Sequence, residues 1–390
     1  MKALLLDAKQ RSAHVKNTPN PQPSANELFI RVEAIALNPI DSRYTFHPLA
    51  STSRTIGSDF AGVVDALGDD VPPTSGLGPG DRVAGFLQGA CSANERPGAF
   101  ADYLVCPWDL VWKVGVGMRL QEAAAVSLCG LTAAQALFYR MGLEAPFSWP
   151  ERPARTAGLE EHRPEAAGGL SFFVYGASTS VGLYAAQLVR RSAASSERRS
   201  IRLFGTAGQK HFEMLKAEPY SYDGLVDYHD EDWPAKIRGL TDGAGVDYAY
   251  DCISEGATVS KTGDTLAPGG KMAIVRSREG GAWTAPDLTV EPMYGAVWEG
   301  LGEFVQYQGM DLPASPEARS FAVAFYRWLS GGGRLKPNPL REMPGGLEAI
   351  VDEGFRLLGS GTMGDRDAKS EKAWMRPLSA EKMVYGIAAE

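Results

Sequence analysis

Along the first third of the chain, apolar residues come in short runs that alternate with polar ones or stay apolar for a few positions. Each run is closed by Gly or Pro. LFIRVEAIAL (28–37) alternates and then runs apolar; SDFAGVVDALG (58–68), GDRVAGF (80–86), GAFADYLVCP (98–107) and LVWKV (110–114) follow. Short strands at this spacing predict a compact, barrel-like β domain. Near Leu120 the period changes, and QEAAAVSLCGLTAAQALFYRMG (121–142) sets Ala and Leu at helical intervals. The stretch 144–169, dense in Pro, Glu, Arg and Gly, reads as an exposed insertion carrying no chemistry.

Beyond it the apolar run Phe172, Phe173, Val174, Tyr175 breaks at GASTSVG (176–182), and apolar residues then recur at helical spacing (Val181, Tyr184, Ala185, Leu188, Val189). A strand, a turn of tiny residues and a helix form the first unit of a dinucleotide-binding fold. The turn lets the backbone approach a pyrophosphate, and the helix N-terminus offers N–H groups and partial positive charge. An ordinary strand–helix corner would show the same residues, so the following segments decide. IRLFGT (201–206), LVDY (225–228), VDYAYDCIS (246–254) and GGKMAIV (269–275) alternate with helical intervals such as 209–216 and 255–266, which predicts a parallel, doubly wound sheet. YGAVW (294–298) is expected to add its last strand. From about 300 come an amphipathic helix (SFAVAFYRWLSGG, 320–332), a second helix (LEAIVDEGFRLLGSG, 347–361) and a strand (KMVYGI, 382–387).

Length and charge narrow the function. A chain of 390 residues is long for a single core, so two domains are expected. The net charge of −8, with no long Lys/Arg run, argues against a nucleic-acid surface. No stretch has the apolar length of a membrane span, and MKALLLDAKQ has too short an apolar core for a signal peptide. Cys91, Cys106, Cys129 and Cys252 lie far apart without CxxC spacing and read as reduced, mostly buried thiols of a cytoplasmic protein.

Several segments together resemble the medium-chain dehydrogenase/reductase superfamily: VEAIALNPIDSR (32–43), GSDFAGVV (57–64), GLGPGDRVAG (76–85), GAFADYLV (98–105), GASTSVG (176–182) and APGGKMAIV (267–275). The match runs nearly end to end, apart from insertions at 144–169 and 362–377. NPIDSR, VYGASTS, DYAYDCIS and LSAEK (378–382) are most similar to the fungal trans-acting enoyl reductases of highly reducing polyketide synthases, the lovastatin-type reductase among them. The resemblance implies an α/β fold. A GroES-like catalytic domain (1–127 and 301–390) would receive an inserted Rossmann cofactor domain (128–300), with substrate in the cleft. It implies hydride transfer from NADPH to the β carbon of an α,β-unsaturated thioester. The partner would be a carrier-bound acyl chain of a synthase lacking its own active enoyl reductase, and the trans-acting reductases resemble monomers. Two other readings stay open: a quinone or alkenal reductase of the same superfamily, and a non-catalytic NADPH-binding protein.

Many superfamily members hold a catalytic zinc through Cys, His or carboxylate ligands. Those relatives place a Cys where this chain has Asn38 and a His where it has Ser58. Cys91 stands alone where a structural site needs a cluster, and the five histidines show no paired spacing. Asp41 and Asp59 are therefore expected to serve as hydrogen-bonding residues, and no metal is expected.

For the nucleotide, the second strand runs into Thr206, Ala207, Gly208, Gln209, Lys210 and His211, with no acid before Glu213. An NAD site places an acid there for the ribose 2′-hydroxyl. Small residues with the Lys210 cation suit a 2′-phosphate, so NADPH is expected. Ser178, Thr179, Ser180 and Val181 would bind the pyrophosphate or merely cap the helix. Ile253, Val275 and Arg276, at carboxyl strand ends, would flank the nicotinamide; Arg276 would serve equally as a rim charge. By resemblance, Tyr228 closes over the adenosine phosphate, Ile40, Asp41, Ser42 and Arg43 meet the nicotinamide ribose, and Ser379 and Ala380 reach back to the cofactor. Gly is usual at the position of Ala380.

The catalytic candidates are Asn38, Arg43 and Thr132. Thr132 would donate to the thioester oxygen, or bond back to its own helix as threonines commonly do. By resemblance, the segment from Thr132 through Ala133, Ala134, Gln135, Ala136, Leu137, Phe138 and Tyr139 lines the acyl pocket. Arg43 stands where the lovastatin-type enzyme has lysine; its guanidinium does not release a proton readily, which favours an electrostatic or anchoring role. The tyrosine acid of mitochondrial enoyl reductases has no counterpart, since Leu49 occupies that spacing and Tyr44 lies too near. Solvent is left as the proton source.

Overall fold

The computed structural model describes residues 1–150, 169–195, 200–280, 283–285 and 288–387. Its contacts divide into two units, Met1–Leu128 with Trp298–Glu390, and Cys129–Val297. In chain order the strands are β1 (Lys2–Asp7), β2 (Ser12–Asn17), β3 (Glu27–Ala36), β4 (Asp59–Leu67), β5 (Arg82–Phe86), β6 (Tyr103–Pro107) and β7 (Val111–Lys113). Then come β8 (Leu170–Tyr175), β9 (Ile201–Ala207), β10 (Gly224–Asp227), β11 (Val246–Asp251) and β12 (Leu266–Ile274). The last four are β13 (Val305–Tyr307), β14 (Met310–Leu312), β15 (Leu340–Met343) and β16 (Lys382–Gly386).

In the first unit a seven-stranded sheet runs β15-β16-β3-β4-β5-β7, with β6 also on β3. The alternation read from 28–37 is what the sheet uses. Leu28, Ile30, Val32 and Ala34 are all fully buried, and burial becomes continuous at Ile35 and Ala36. One edge of β3 pairs with β4. The other is shared: β6 takes residues 27–31, and β16 takes Ala34, Ile35 and Ala36 through Gly386, Tyr385 and Val384. Thus a strand from the far end of the sequence completes the sheet begun at its start.

The hairpin β1–β2 was not legible as a strand pair, because its three consecutive leucines show no alternation. After β3 the chain turns into helix Pro39–Phe46: Pro39 occupies the first helical turn, and the Asp41 carboxylate accepts the Asn38 N–H at 2.8 Å. The helix of 320–332 starts earlier, at Pro316, because Ser315 Oγ caps the Ala318 N–H at 3.1 Å. The second expected helix is broken into a 3₁₀ turn (Gly346–Ala349), a π turn (Ile350–Phe355) and a short α segment (Arg356–Leu358).

The second unit holds five parallel strands in the order β10-β9-β8-β11-β12. Helix Ser180–Ser195 returns from β8 and buries Leu183, Tyr184, Ala185, Leu188 and Val189. On the sheet pack Phe173, Phe204, Trp233, Ile237, Val259 and Met272. The strand expected at 294–298 does not form. Arg140 lies against Gly295, and its Nε donates to the Tyr294 carbonyl at 3.2 Å, which occupies an acceptor a ladder would need. Met293 alone bridges to Ala273, and Val297–Leu301 turns as a 3₁₀ segment. The expected exposed insertion falls largely at 151–168, outside the described residues. No described helix is long and apolar enough to cross a membrane.

Candidate active site

The corner after β8 is built from close backbone approaches. Gly176 takes a left-handed conformation (φ +76°) that an L side chain rarely adopts. The Ala177 N–H donates to the Thr206 carbonyl at 2.8 Å, and the Gly176 N–H to Thr206 Oγ1 at 3.2 Å. A side chain at Gly205 would put its Cβ 2.6 Å from Tyr222 and 2.9 Å from Ala177, so β9 must be bare where the corner rests. Thr179 Oγ1 accepts the Gly182 N–H at 3.0 Å, which is the capping role. Ser178 precedes it, and Ser180 and Val181 open the helix. This is a small-residue turn on the N-terminus of a 16-residue helix, and its residues fit a dinucleotide pyrophosphate.

At the end of β9, the space where a Gly208 side chain would point is open except for the Tyr228 ring at 3.8 Å. Gln209 and Lys210 are exposed, and His211 is half-buried. Tyr228 is half-exposed, with its ring 4.0 Å from that of His229. Sheet register reveals an acid that linear reading missed: Asp227 on β10 lies opposite Ala207. Its carboxylate is already engaged, accepting the His229 N–H at 3.0 Å and meeting His229 Nδ1 at 2.7 Å. The His229 backbone bond, ahead of the ring, holds the Asp227 carboxyl below the usual range.

Asp251, at the end of β11, organises the next edge. Fully buried, it accepts the N–H groups of Ile253 and Ser254 at 2.8 Å each and the Thr258 hydroxyl at 2.6 Å. Ser254 (φ +53°) donates its hydroxyl to the Asp251 carbonyl and accepts the Val275 N–H at 3.1 Å. One carboxylate thus fixes both Ile253 and Val275. Burial pushes its carboxyl up to about 6 against the pull of those hydrogen bonds. Arg276 pairs with Glu255 at 2.6 Å, both mostly buried.

The segment 127–140 is helical through Ala134 and then widens into a π turn, Gln135–Arg140. Ala133, Ala134, Ala136, Leu137 and Phe138 are buried, whereas Thr132 and Tyr139 are half-exposed. Gln135 is 2% exposed, and neither atom of its amide meets a hydrogen-bond partner among the described residues. π turns recur at functional positions, and a buried unsatisfied amide calls for an explanation.

In the first unit, five polar side chains are buried together. Asn38 Nδ2 donates to Asp59 Oδ2 at 2.9 Å, and Lys382 Nζ donates to Asn38 Oδ1 and, at 3.2 Å, to Asp59 Oδ2. Asp59 Oδ1 accepts the Leu128 N–H at 2.8 Å, and the Ser58 hydroxyl donates to Asp41. Burial raises both carboxyls, Asp41 to about 7. Asn38, expected as a catalytic candidate, engages both ends of its amide within this cluster. Ser42 likewise turns inward, donating to the Gly359 carbonyl. Of residues 40–43, Ile40 and Arg43 stay partly exposed, with the Arg43 guanidinium 5.9 Å from the Tyr44 ring. Tyr44 itself is buried, and its hydroxyl is 2.6 Å from Gln308 Nε2. Ser379 and Ala380 are half-buried, and Ala380 adopts φ +55° where glycine is usual.

Residues 24–116 match the alcohol dehydrogenase GroES-like domain, and 181–290 match the zinc-binding dehydrogenase family. The trans-enoyl reductase ACTTS2 of Alternaria alternata is 30% identical over 361 residues, covering 92% of this chain and 95% of its own. This chain belongs to the trans-enoyl reductases. The trans-enoyl reductase ccsC of Aspergillus clavatus is also 30% identical, over 382 residues, covering 95% of this chain and 92% of its own. The reductase shares its medium-chain dehydrogenase/reductase fold with the CurK enoyl reductase (TM-score 0.66, 18% identity, covering 99% of this chain and 98% of its own). A mycobacterial protein complexed with NADPH is comparable (TM-score 0.65, 19% identity, covering 99% of this chain and 100% of its own).

The second family's description implies zinc, and the donor set does not fit it. Zinc sites in enzymes offer three Cys, His or carboxylate ligands to an open position. Here an amide, a hydroxyl and two carboxylates are bonded to one another and to an ammonium. The nearby Cys91 thiol is pushed well up by burial, and its Sγ is 3.8 Å from the Ile40 carbonyl. No group of three His, Cys, Asp or Glu suited to a metal occurs among the described residues.

Proposed function

We propose that the reductase transfers a hydride from NADPH to the β carbon of an α,β-unsaturated polyketide thioester presented on the carrier protein of a partner synthase. The observation that carries the cofactor choice is the end of β9. No acid follows it before Glu213, Lys210 is exposed there, and the neighbouring Asp227 is already taken by His229. A 2′-phosphate meets a cation at that place, and a 2′-hydroxyl finds no open carboxylate.

The bound nicotinamide supplies the hydride. The chain's own work is to place and polarise the substrate. Helix Ser180–Ser195 and the 176–182 turn would hold the pyrophosphate, and Ile253 and Val275, fixed by the Asp251 network, would flank the nicotinamide. Hydride addition at the β carbon leaves an enolate on the thioester. Thr132, half-exposed beside the buried and mostly apolar segment 133–138, donates to the enolate oxygen, and solvent protonates the α carbon. Arg43 contributes a fixed positive charge and anchors the cofactor.

Consumption of NADPH and of NADH with α,β-unsaturated N-acetylcysteamine thioesters, alongside a quinone, tests this reading. Turnover of the thioesters with NADPH and not of the quinone is expected. Lys210→Ala should weaken NADPH binding about tenfold and leave NADH unchanged. Thr132→Val should lower kcat about a hundredfold with NADPH affinity intact; full turnover in that variant would remove the threonine from the mechanism.

A further inference from the structure

Three strand ends converge in the first unit. Asn38 follows β3, Asp59 opens β4 opposite Ala36, and Lys382 opens β16, which pairs with the same end of β3. Their side chains close a triangle in which Lys382 touches Asn38 and Asp59, and Asn38 touches Asp59. All three residues are 3% exposed or less. The triangle continues outward: Asn38 gives its N–H to Asp41, which also takes the Ser58 hydroxyl. Asn38 is the N-cap of the helix that carries Ser42 and Arg43.

By the resemblance to the superfamily, Asn38 and Ser58 stand where zinc relatives have their Cys and His. We propose that the Lys382 ammonium is a built-in cation that takes over the organising role of that metal, and that it is a positioning residue for the first turns of helix Pro39–Phe46, which carry Ile40 and Arg43. The oxygens a divalent ion would seek, Asn38 Oδ1 and Asp59 Oδ2, are already held by the ammonium. A carboxylate buried as Asp59 is needs a compensating charge, and here the chain carries it in the fold. Lys382 acts through Asn38 on the helix and does not touch the reacting atoms. The link to cofactor binding rests on the proposed contact of residues 40–43 with the nicotinamide ribose; the charge pairing itself does not.

The test uses the full chain as wild type, Lys382→Met, Asp59→Asn and the double variant, with thermal unfolding, NADPH titration and zinc content as readouts. Lys382→Met leaves a buried carboxylate uncompensated and should lower the melting temperature by about 10 °C. The double variant, with neither charge, should recover most of that loss. NADPH affinity should fall about tenfold in Lys382→Met, with kcat at saturating cofactor changed less. Purified wild type should hold no stoichiometric zinc, and a chelator should leave its melting temperature unmoved. If Lys382→Met fails to fold, folding of the double variant supports the pairing. A double variant no more stable than Lys382→Met, or a chelator that destabilises wild type, overturns it. Unchanged NADPH affinity in a folded Lys382→Met overturns the positioning role. A switch to NADH or to quinones would sink the proposed reaction and leave the stability cycle intact.

Discussion

Asp41 shows how a single buried carboxyl sets a pH dependence. Burial raises it to about 7, whereas in the unfolded chain it ionises near 4. Between those values the folded state keeps a proton that the unfolded state has lost, so stability falls as pH rises and levels off above about 7. Asp251, raised to about 6 by the same cause, tilts the curve the same way over a narrower span. Melting temperatures measured from pH 5 to 8 should decline toward 7, and Asp41→Asn should flatten the decline; a curve that rises through that window would contradict the assignment. Ala380 makes a different point. At φ +55° its Cβ crowds the backbone where glycine would be relaxed, so Ala380→Gly should stabilise the protein by about 0.5–1 kcal/mol, read as a small rise in melting temperature. Both residues drew attention from sequence alone. The fate of Asn38 was not legible, because the lysine that engages it lies 344 positions away. Asp227 was hidden for a related reason: only strand register places it beside Ala207.

Among the elements, those with a clean period were readable, and the departures have local causes. The alternation of 28–37 became β3 almost residue for residue, and the apolar run 172–175 became the end of β8. Helical spacing across 121–142 hid the break into Leu120–Ala124, Ser127–Ala134 and the π turn at Gln135–Arg140, since 123–138 is buried almost without a break and shows no apolar stripe whose phase could be seen to shift. That turn carries Gln135, whose buried amide has no hydrogen-bond partner among the described residues. If the amide waits for a substrate oxygen, Gln135→Leu should stabilise the free protein by about 1 kcal/mol and raise KM for the thioester several-fold. A variant with unchanged KM would mark Gln135 as packing alone.

At the scale of the molecule, the change of character near 125 and again near 300 was visible in composition and period. That β16 joins β3 was not: strand pairing across so long a separation leaves no local trace, and only resemblance suggested it. The parallel sheet was the easier half, because strand and helix signals alternate within one continuous stretch. The shared edge of β3 has a consequence for biosynthesis. During translation the edge beside Ala34, Ile35 and Ala36 stays open until β16 emerges, after every strand of the parallel sheet has left the ribosome. The parallel-sheet unit can therefore mature on the nascent chain while the first unit waits with an unpaired strand edge.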